Sequence, residues 1–221
     1  MIVIKQDTPH EPIIDKRTTM YPTFAALVDD CTYYTEDKYS TYYGYCFGKV
    51  EIEINKKRFE LEEGDFFSIP CNEHEIEFKA VQSKVFVVSR LGYKGQFVIG
   101  KVEEIGRLSY IDGCSDSMLV YPPRFGDPSI SHLHFPPNIT QSFHTHPSIR
   151  VGVVISGNGF ASLDGYELPL TAGSMFCLNE QEFHRFRTEG EHMNIIAYHP
   201  DGEWGPTDEN HTMLNRTYLK K

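Results

Sequence analysis

Three histidines stand at spacings that suit a metal ion. His144 and His146 flank a single threonine, and His184 follows the glycine turn at Gly173. Because alternate residues of a strand face the same side, the imidazoles of His144 and His146 would point together. Neutral imidazole is the usual protein ligand of divalent transition metals. Three protein ligands would leave coordination positions open for water or substrate, as in catalytic sites, whereas a vestigial, merely hydrogen-bonded cluster is the alternative.

Four other residues near these histidines are candidates for contact with a substrate. Arg150 follows His146 by four residues, and its guanidinium would bind an anion through paired hydrogen bonds unless it turns outward into a salt bridge. Glu182 would share a strand face with the third histidine and act as a general base, unless it is simply solvated. His132 and His134 share one face of another strand, at the pocket mouth or on an outer surface. We therefore predict Arg150 and Glu182 as catalytic residues. Arg150 is also predicted to bind substrate, together with His132 and His134.

The elements that must position these side chains are short strands. Val50–Ile54 alternates apolar and acidic residues, as expected of a half-buried strand, and Asn55 begins a turn. Such turns recur about every 8–12 residues, which is typical of a sandwich or barrel. Aromatic residues make up 13% of the chain, which also favours sheet. The best helical candidate is the short segment Thr23–Asp29.

The same pattern of strands and turns occurs twice. Gly48 and Gly64 are sixteen residues apart, as are Gly157 and Gly173, and the pairs are offset by 109 residues. Under that offset apolar residues fall on apolar residues and turns on turns, which predicts two copies of one β unit. Alternation common to any two β domains is the alternative. The predicted units are an N-terminal barrel over residues 1–100, a C-terminal barrel over residues 101–200 and an extension over residues 201–221.

The first copy lacks the histidines of the second. Thr35, Asp37, Thr41 and Glu75 stand at the positions equivalent to the three histidines and Arg150. Two carboxylates without an imidazole are a poor match to a transition-metal site. The N-terminal barrel is therefore predicted to be degenerate and structural.

The histidine segments resemble the two motifs of the cupin family. The segment from His144 to Gly157 is similar to the first motif, and the segment from Gly173 to His184 is similar to the second. The resemblance implies a jelly-roll β-barrel and, with the repeat, a bicupin: an all-β fold of two tandem jelly-roll barrels. It also implies that the three histidines are the metal ligands. Arg150 departs from the motif, because it stands where the family usually has a glutamate ligand and a guanidinium has no free lone pair.

The resemblance and the residues together favour a metal-dependent enzyme acting on a small anionic molecule in the C-terminal barrel. Three neutral ligands leave the charge of a divalent ion uncompensated, and Arg150 adds to it. The three-histidine shell is similar to that of some cupin dioxygenases, with iron the favoured ion and Mn, Ni or Zn as alternatives. Isomerase or lyase chemistry fits equally well. A non-catalytic ligand-binding or sensor cupin, and a structural dimer with a vestigial site, are the other interpretations.

The amino-acid composition limits the classes of binding partner that we expect. Acidic residues outnumber basic residues 31 to 21, which gives a formal net charge of −10. Nucleic acids and anionic membranes require a basic surface, so neither is an expected partner. No apolar run approaches the roughly 20 residues of a membrane span. Five cysteines without a C-x-x-C pair indicate a reduced, cytoplasmic protein. A homodimer is expected, because pairing covers exposed sheet edges.

Overall fold

The computed structural model describes residues 1–4 and 13–202, so most of the predicted extension over residues 201–221 lies outside the described residues. Apart from one 3-10 turn at Ile111–Gly113, the regular structure of the described part is antiparallel strand, which confirms the all-β prediction. None of its helical structure has the length and hydrophobicity needed to cross a bilayer. The strands are β1 (Ile2–Ile4), β2 (Ile13–Lys16), β3 (Thr23–Asp29), β4 (Thr32–Tyr34), β5 (Thr41–Cys46), β6 (Val50–Ile54), β7 (Lys57–Leu61), β8 (Asp65–Pro70), β9 (Ile76–Ala80), β10 (Lys84–Arg90), β11 (Val98–Lys101), β12 (Leu108–Ser109), β13 (Ser115–Val120), β14 (Ser129–Phe135), β15 (Arg150–Leu163), β16 (Tyr166–Thr171), β17 (Met175–Leu178), β18 (His184–Arg187) and β19 (Met193–His199).

The predicted helical candidate is wrong: its residues form β3, in the interior of a sheet. The apolar run of β3 does not alternate because both of its faces are buried. Ala25 and Leu27 pack into one core cluster, while Ala26 and Val28 pack into another. A continuous apolar run of this length is ambiguous between a buried strand and a helix.

The N-terminal half consists of two facing antiparallel sheets. One has the order β11-β8-β5-β10-β3-β2 and the other the order β4-β9-β6-β7. The inner faces of these sheets enclose an apolar core. Its fully buried members include Val50, Ile52, Phe67, Phe78 and Val87.

The C-terminal half is built around β15, a strand of 14 residues that contributes to both layers. Its first part pairs with β17 and β19, and its second part pairs with β16 and β18. A register shift between Val154 and Ser156 separates the two parts. Irregularities of this kind bend a strand, so β15 passes from one layer to the other. The core between the layers includes Phe135, Leu170, Phe176, Phe186 and Ile195.

The strands repeat at the predicted offset. Residues 84–90 form β10 and residues 193–199 form β19, which are 109 residues apart along their whole length. Gly64 and Gly173 occupy equivalent turns with φ of +86° and +83°, a conformation that glycine adopts without strain. The second glycine of each pair thus occupies the same turn in both halves.

The two halves exchange an edge strand. β1 pairs with β17, placing Ile2 opposite Cys177, and β11 pairs with β8, placing Val98 opposite Ser68. Cys177 and Ser68 are themselves related by the 109-residue offset. The predicted boundary at residue 100 therefore falls inside β11, and residues 1–4 complete the sheet of the C-terminal half. Each exchanged strand covers an edge that would otherwise expose unpaired backbone groups.

A third apolar cluster joins the halves face to face. Residues from β3, β5 and β10 pack there against residues from β14, β15 and β19. The rings of Tyr43 and Tyr198 have centroids 5.6 Å apart, and Arg90 donates a 2.6 Å hydrogen bond to the carbonyl oxygen of Pro200. The halves therefore share one continuous buried interface.

Candidate metal centre

The structure brings the three predicted histidines together in the C-terminal half. One nitrogen from each of His144, His146 and His184 lies within 4.8 Å of the others, and the ring centroids are 4.6 to 5.2 Å apart. Two backbone hydrogen bonds of 2.9 and 3.0 Å join His144 to His184, which begins β18. Gln181 donates a 2.8 Å backbone hydrogen bond to the carbonyl oxygen of His146. Main-chain pairing thus holds all three side chains in place.

Hydrogen bonds determine which ring nitrogen His144 and His184 present. Nδ1 of His144 lies 2.8 Å from the carbonyl oxygen of Ser142, and Nδ1 of His184 lies 2.8 Å from that of Glu182. A carbonyl oxygen only accepts, so each Nδ1 carries the proton and each Nε2 keeps its lone pair. Nε2 of His184 is buried and has no hydrogen-bond partner among the described residues. This is the arrangement of second-sphere contacts that metal-binding histidines show.

Burial keeps the imidazoles of His146 and His184 neutral. It lowers the pKa of His146 to about 3, with Arg150 as the next largest cause, and lowers the pKa of His184 to about 4. Neutral imidazole is the form that binds a metal. The residues present therefore fit a divalent transition metal.

Arg150 lies inside the C-terminal half, with 6% of its surface exposed. Its Nη1 donates hydrogen bonds of 3.2 Å to the carbonyl oxygen of Ser148 and 3.0 Å to that of Ile149. The same nitrogen lies 3.7 Å from a carboxylate oxygen of Asp201. Arg150 thus forms an ion pair, as one interpretation of the sequence held, but it is buried and lines the same cavity as His146.

That cavity has a volume of about 50 Å³. Tyr110, Asp116 and His199 add polar groups to its wall, which otherwise includes apolar residues such as Leu133 and Phe176. Burial raises the pKa of Asp116 to about 6, while burial and then the charge of Arg150 lower the pKa of His199. Sequence reasoning missed Asp116, and the only available signal was its place in the strand that precedes β14.

The predicted substrate contacts His132 and His134 do not reach the cavity. Their neighbours Ser131 and Leu133 line it, so alternation along β14 directs both histidines to the opposite face. Both rings bond there to Oδ1 of Asn194, at 3.1 Å from His132 and 2.8 Å from His134. The two histidines thus lie on the face of the sheet that is turned away from the cavity, and His132 is fully buried there.

Nor does the structure bring the carboxylate of Glu182 into the histidine cluster. The carboxylate accepts hydrogen bonds from the amino group of Met1 and, at 2.7 Å, from the backbone N–H of Asn179. The contact of Glu182 with the site is made by its backbone carbonyl, which orients His184. Glu182 thus helps to position His184 through its main chain. This geometry does not support a role for its carboxylate as general base.

The equivalent positions of the N-terminal half are occupied by internal hydrogen bonds. Oγ1 of Thr35 accepts a 2.9 Å bond from the backbone of Ile76, and Asp37 accepts a 2.8 Å bond from that of Tyr39. Glu75 is exposed. Among the described residues, the histidine cluster of the C-terminal half is the one group of three or more potential ligands that converges.

The comparisons with known proteins agree with this fold. The Cupin_2 family, described as a cupin domain, matches residues 131–203. A Cupin 2 conserved barrel domain protein from Leptotrichia buccalis is 19% identical, with 88% of this chain and 91% of that chain covered and a TM-score of 0.60. A protein from Pseudomonas aeruginosa described as glyoxylate-induced is 13% identical, with 93% and 90% covered and a TM-score of 0.69.

Salicylate 1,2-dioxygenase from Pseudaminobacter salicylatoxidans is 9% identical, with 80% of this chain and 70% of that chain covered and a TM-score of 0.60. No curated protein matches the chain by sequence. The three-histidine cluster lies within the matched cupin domain. The C-terminal half therefore contains a segment, residues 131–203, that matches the cupin domain and carries three histidines that could hold a metal ion.

Proposed function

We propose that the protein is a bicupin enzyme that uses one transition-metal ion, held by His144, His146 and His184, to act on a small anionic molecule. The observation that carries the proposal is the convergence of three imidazoles beside a buried arginine. The N-terminal half supplies no equivalent cluster among the described residues and contributes the packed interface.

Charge supports an anionic ligand. Three neutral ligands do not offset the charge of a divalent ion, and Arg150 places a further positive charge against the same cavity, although Asp201 lies 3.7 Å from it. A bound metal would polarise a substrate oxygen as a Lewis acid. Arg150 would orient a carboxylate in the cavity, and the apolar wall would exclude bulk water. The site is thus locally cationic in a chain whose net charge is −10.

The cavity volume favours an aliphatic acid over an aromatic one. A cavity that admits benzene measures about 150 Å³, roughly three times the volume beside His146. Resemblance to a salicylate 1,2-dioxygenase supports oxygen chemistry, with iron as the favoured ion and Mn, Ni or Zn as alternatives. The small cavity argues that the substrate itself is not a benzene ring. Isomerase or lyase chemistry is the alternative reaction, because it also requires polarisation of a substrate oxygen.

The test is turnover of small aliphatic carboxylates by metal-loaded protein, followed by NMR and with an oxygen electrode. We expect conversion of at least one acid by the wild-type protein and by His74→Ala, a matched change at an exposed histidine in the N-terminal half. His184→Ala should abolish it. Oxygen uptake identifies an oxygenase, and conversion without uptake identifies an isomerase or lyase. Binding without conversion of any acid would contradict the enzyme proposal and favour a non-catalytic binding protein.

A further inference from the structure

The cavity beside His146 contains a carboxylate that the proposed function does not use. Asp116 lies on β13 with 5% of its surface exposed, and its side chain lines the cavity. The Ser131 side chain and the Ser117 backbone N–H lie close enough to its carboxyl group to lower its pKa, against the larger opposite effect of burial. Oδ1 nevertheless has no hydrogen-bond partner among the described residues. A buried acceptor in this state is costly unless a ligand supplies the missing donor.

Two opposite charges therefore border one small space. Asp116 and Arg150 both line the cavity, and both act on the Tyr110 hydroxyl, which also lines it. Burial and then Asp116 raise the pKa of Tyr110, whereas Arg150 lowers it. The surrounding wall includes Leu133 and Phe176, which offer no competing polar side chain. A ligand in this space meets a guanidinium and a carboxylate at once.

We propose that Asp116 is a specificity-determining residue that binds an ammonium group, so that the ligand is a small zwitterionic amino acid. The inference rests on the proposed function, since the carboxylate of this ligand is the anion that Arg150 and the metal receive. A buried carboxylate is best compensated by a charged donor, which favours an ammonium group over a hydroxyl group. The cavity volume of about 50 Å³ restricts the ligand to a few heavy atoms.

Calorimetric titration with two matched pairs of probes tests this assignment: acetate with glycine, and propionate with β-alanine. The wild-type protein should bind the amino acid of at least one pair about tenfold more tightly than its partner acid. An amine can also bind a metal directly, so the decisive comparison is with Asp116→Asn. That variant should lose the preference while keeping its affinity for the simple acid. Asp164→Asn, at an exposed turn of the same half, should keep the preference.

Metal content and circular dichroism are measured on the same samples. Retained metal and unchanged acetate or propionate affinity show that Asp116→Asn is folded and its site intact. The inference is overturned if the wild-type protein shows no preference, or if Asp116→Asn keeps it. A wild-type protein that contains no transition metal and binds none of the four probes contradicts the proposed function instead. The two failures are therefore distinguishable.

Discussion

Arg150 determines, at the scale of single residues, which ligand charge the site accepts. The guanidinium of Arg150 is buried beside His146. Bulk water therefore cannot take over its hydrogen bonds to the ligand when the side chain is replaced. We expect Arg150→Met to weaken binding of acetate or propionate by about tenfold to a hundredfold, without loss of metal. Calorimetry with metal analysis measures both quantities.

Arg150→Lys is the matched control for charge without the planar fork of donors. It should retain part of the affinity. Equal affinity in the wild-type protein and Arg150→Met would show that this residue does not contact the ligand.

Asp116 should impose a pH dependence on the free energy of unfolding. Its pKa is about 6 in the folded protein and 3.8 for an unperturbed side chain, because burial penalises the charged form. Between these values the folded state binds more protons than the unfolded state, so this contribution falls as pH rises through about 6. Its full size is up to about 3 kcal/mol, at about 1.4 kcal/mol for each pKa unit.

Urea unfolding is measured at about four pH values between about 4 and 7. The difference in unfolding free energy between the wild-type protein and Asp116→Asn then isolates the contribution of Asp116. The buried histidines act in the opposite direction in both proteins and cancel from that difference. We expect the variant to gain stability relative to the wild-type protein as pH rises. A difference that does not change with pH would contradict the assignment.

The sequence predicted the histidine cluster because strand alternation and one glycine turn fix where those side chains point. It could not predict the face of β14 that carries His132 and His134, since both faces of that strand are mostly buried. Asp116 escaped notice for a related reason: a single acidic residue in a strand normally faces solvent. Only the packing of the C-terminal half shows that Asp116 faces a cavity.

At the scale of elements, the bend of β15 depends on Gly157. Its φ is +70°, and a Cβ there would overlap the carbonyl oxygen of His192. Gly157→Ala should therefore destabilise the protein by about 3 kcal/mol, as both backbone strain and a main-chain clash result. Gly165 has φ of +81° with no atom near the corresponding position, so Gly165→Ala should cost about 1 kcal/mol. Equal losses of unfolding free energy would contradict this account.

The sequence also predicted the repeated strands, because each turn and each apolar residue is local in the chain. The exchange of β1 and β11 could not be predicted in this way. β1 pairs with a strand more than 170 residues away, and three residues of β propensity do not specify a partner. The domain boundary at residue 100 was therefore placed within an exchanged strand.

At the scale of the whole molecule, the halves are predicted to fold together. The isolated segment over residues 101–221 would lose β1 and expose the apolar face that includes Val151, Ile196 and Tyr198. We expect it to aggregate or to lack a cooperative unfolding transition, and to retain no metal. Circular dichroism melting and metal analysis of this segment provide the test. A monomeric, cooperatively folded and metal-loaded segment would contradict the prediction. The expected homodimer of the full chain stays a prediction, which light scattering can examine.

Metal analysis of protein purified without chelator shows whether His144, His146 and His184 hold a transition metal. The wild-type protein and His74→Ala should each contain about one transition-metal ion per chain. His184→Ala removes the buried Nε2 and should reduce that content by at least about tenfold while remaining folded. A wild-type protein without transition metal, or a His184→Ala variant that keeps its full content, would contradict the account.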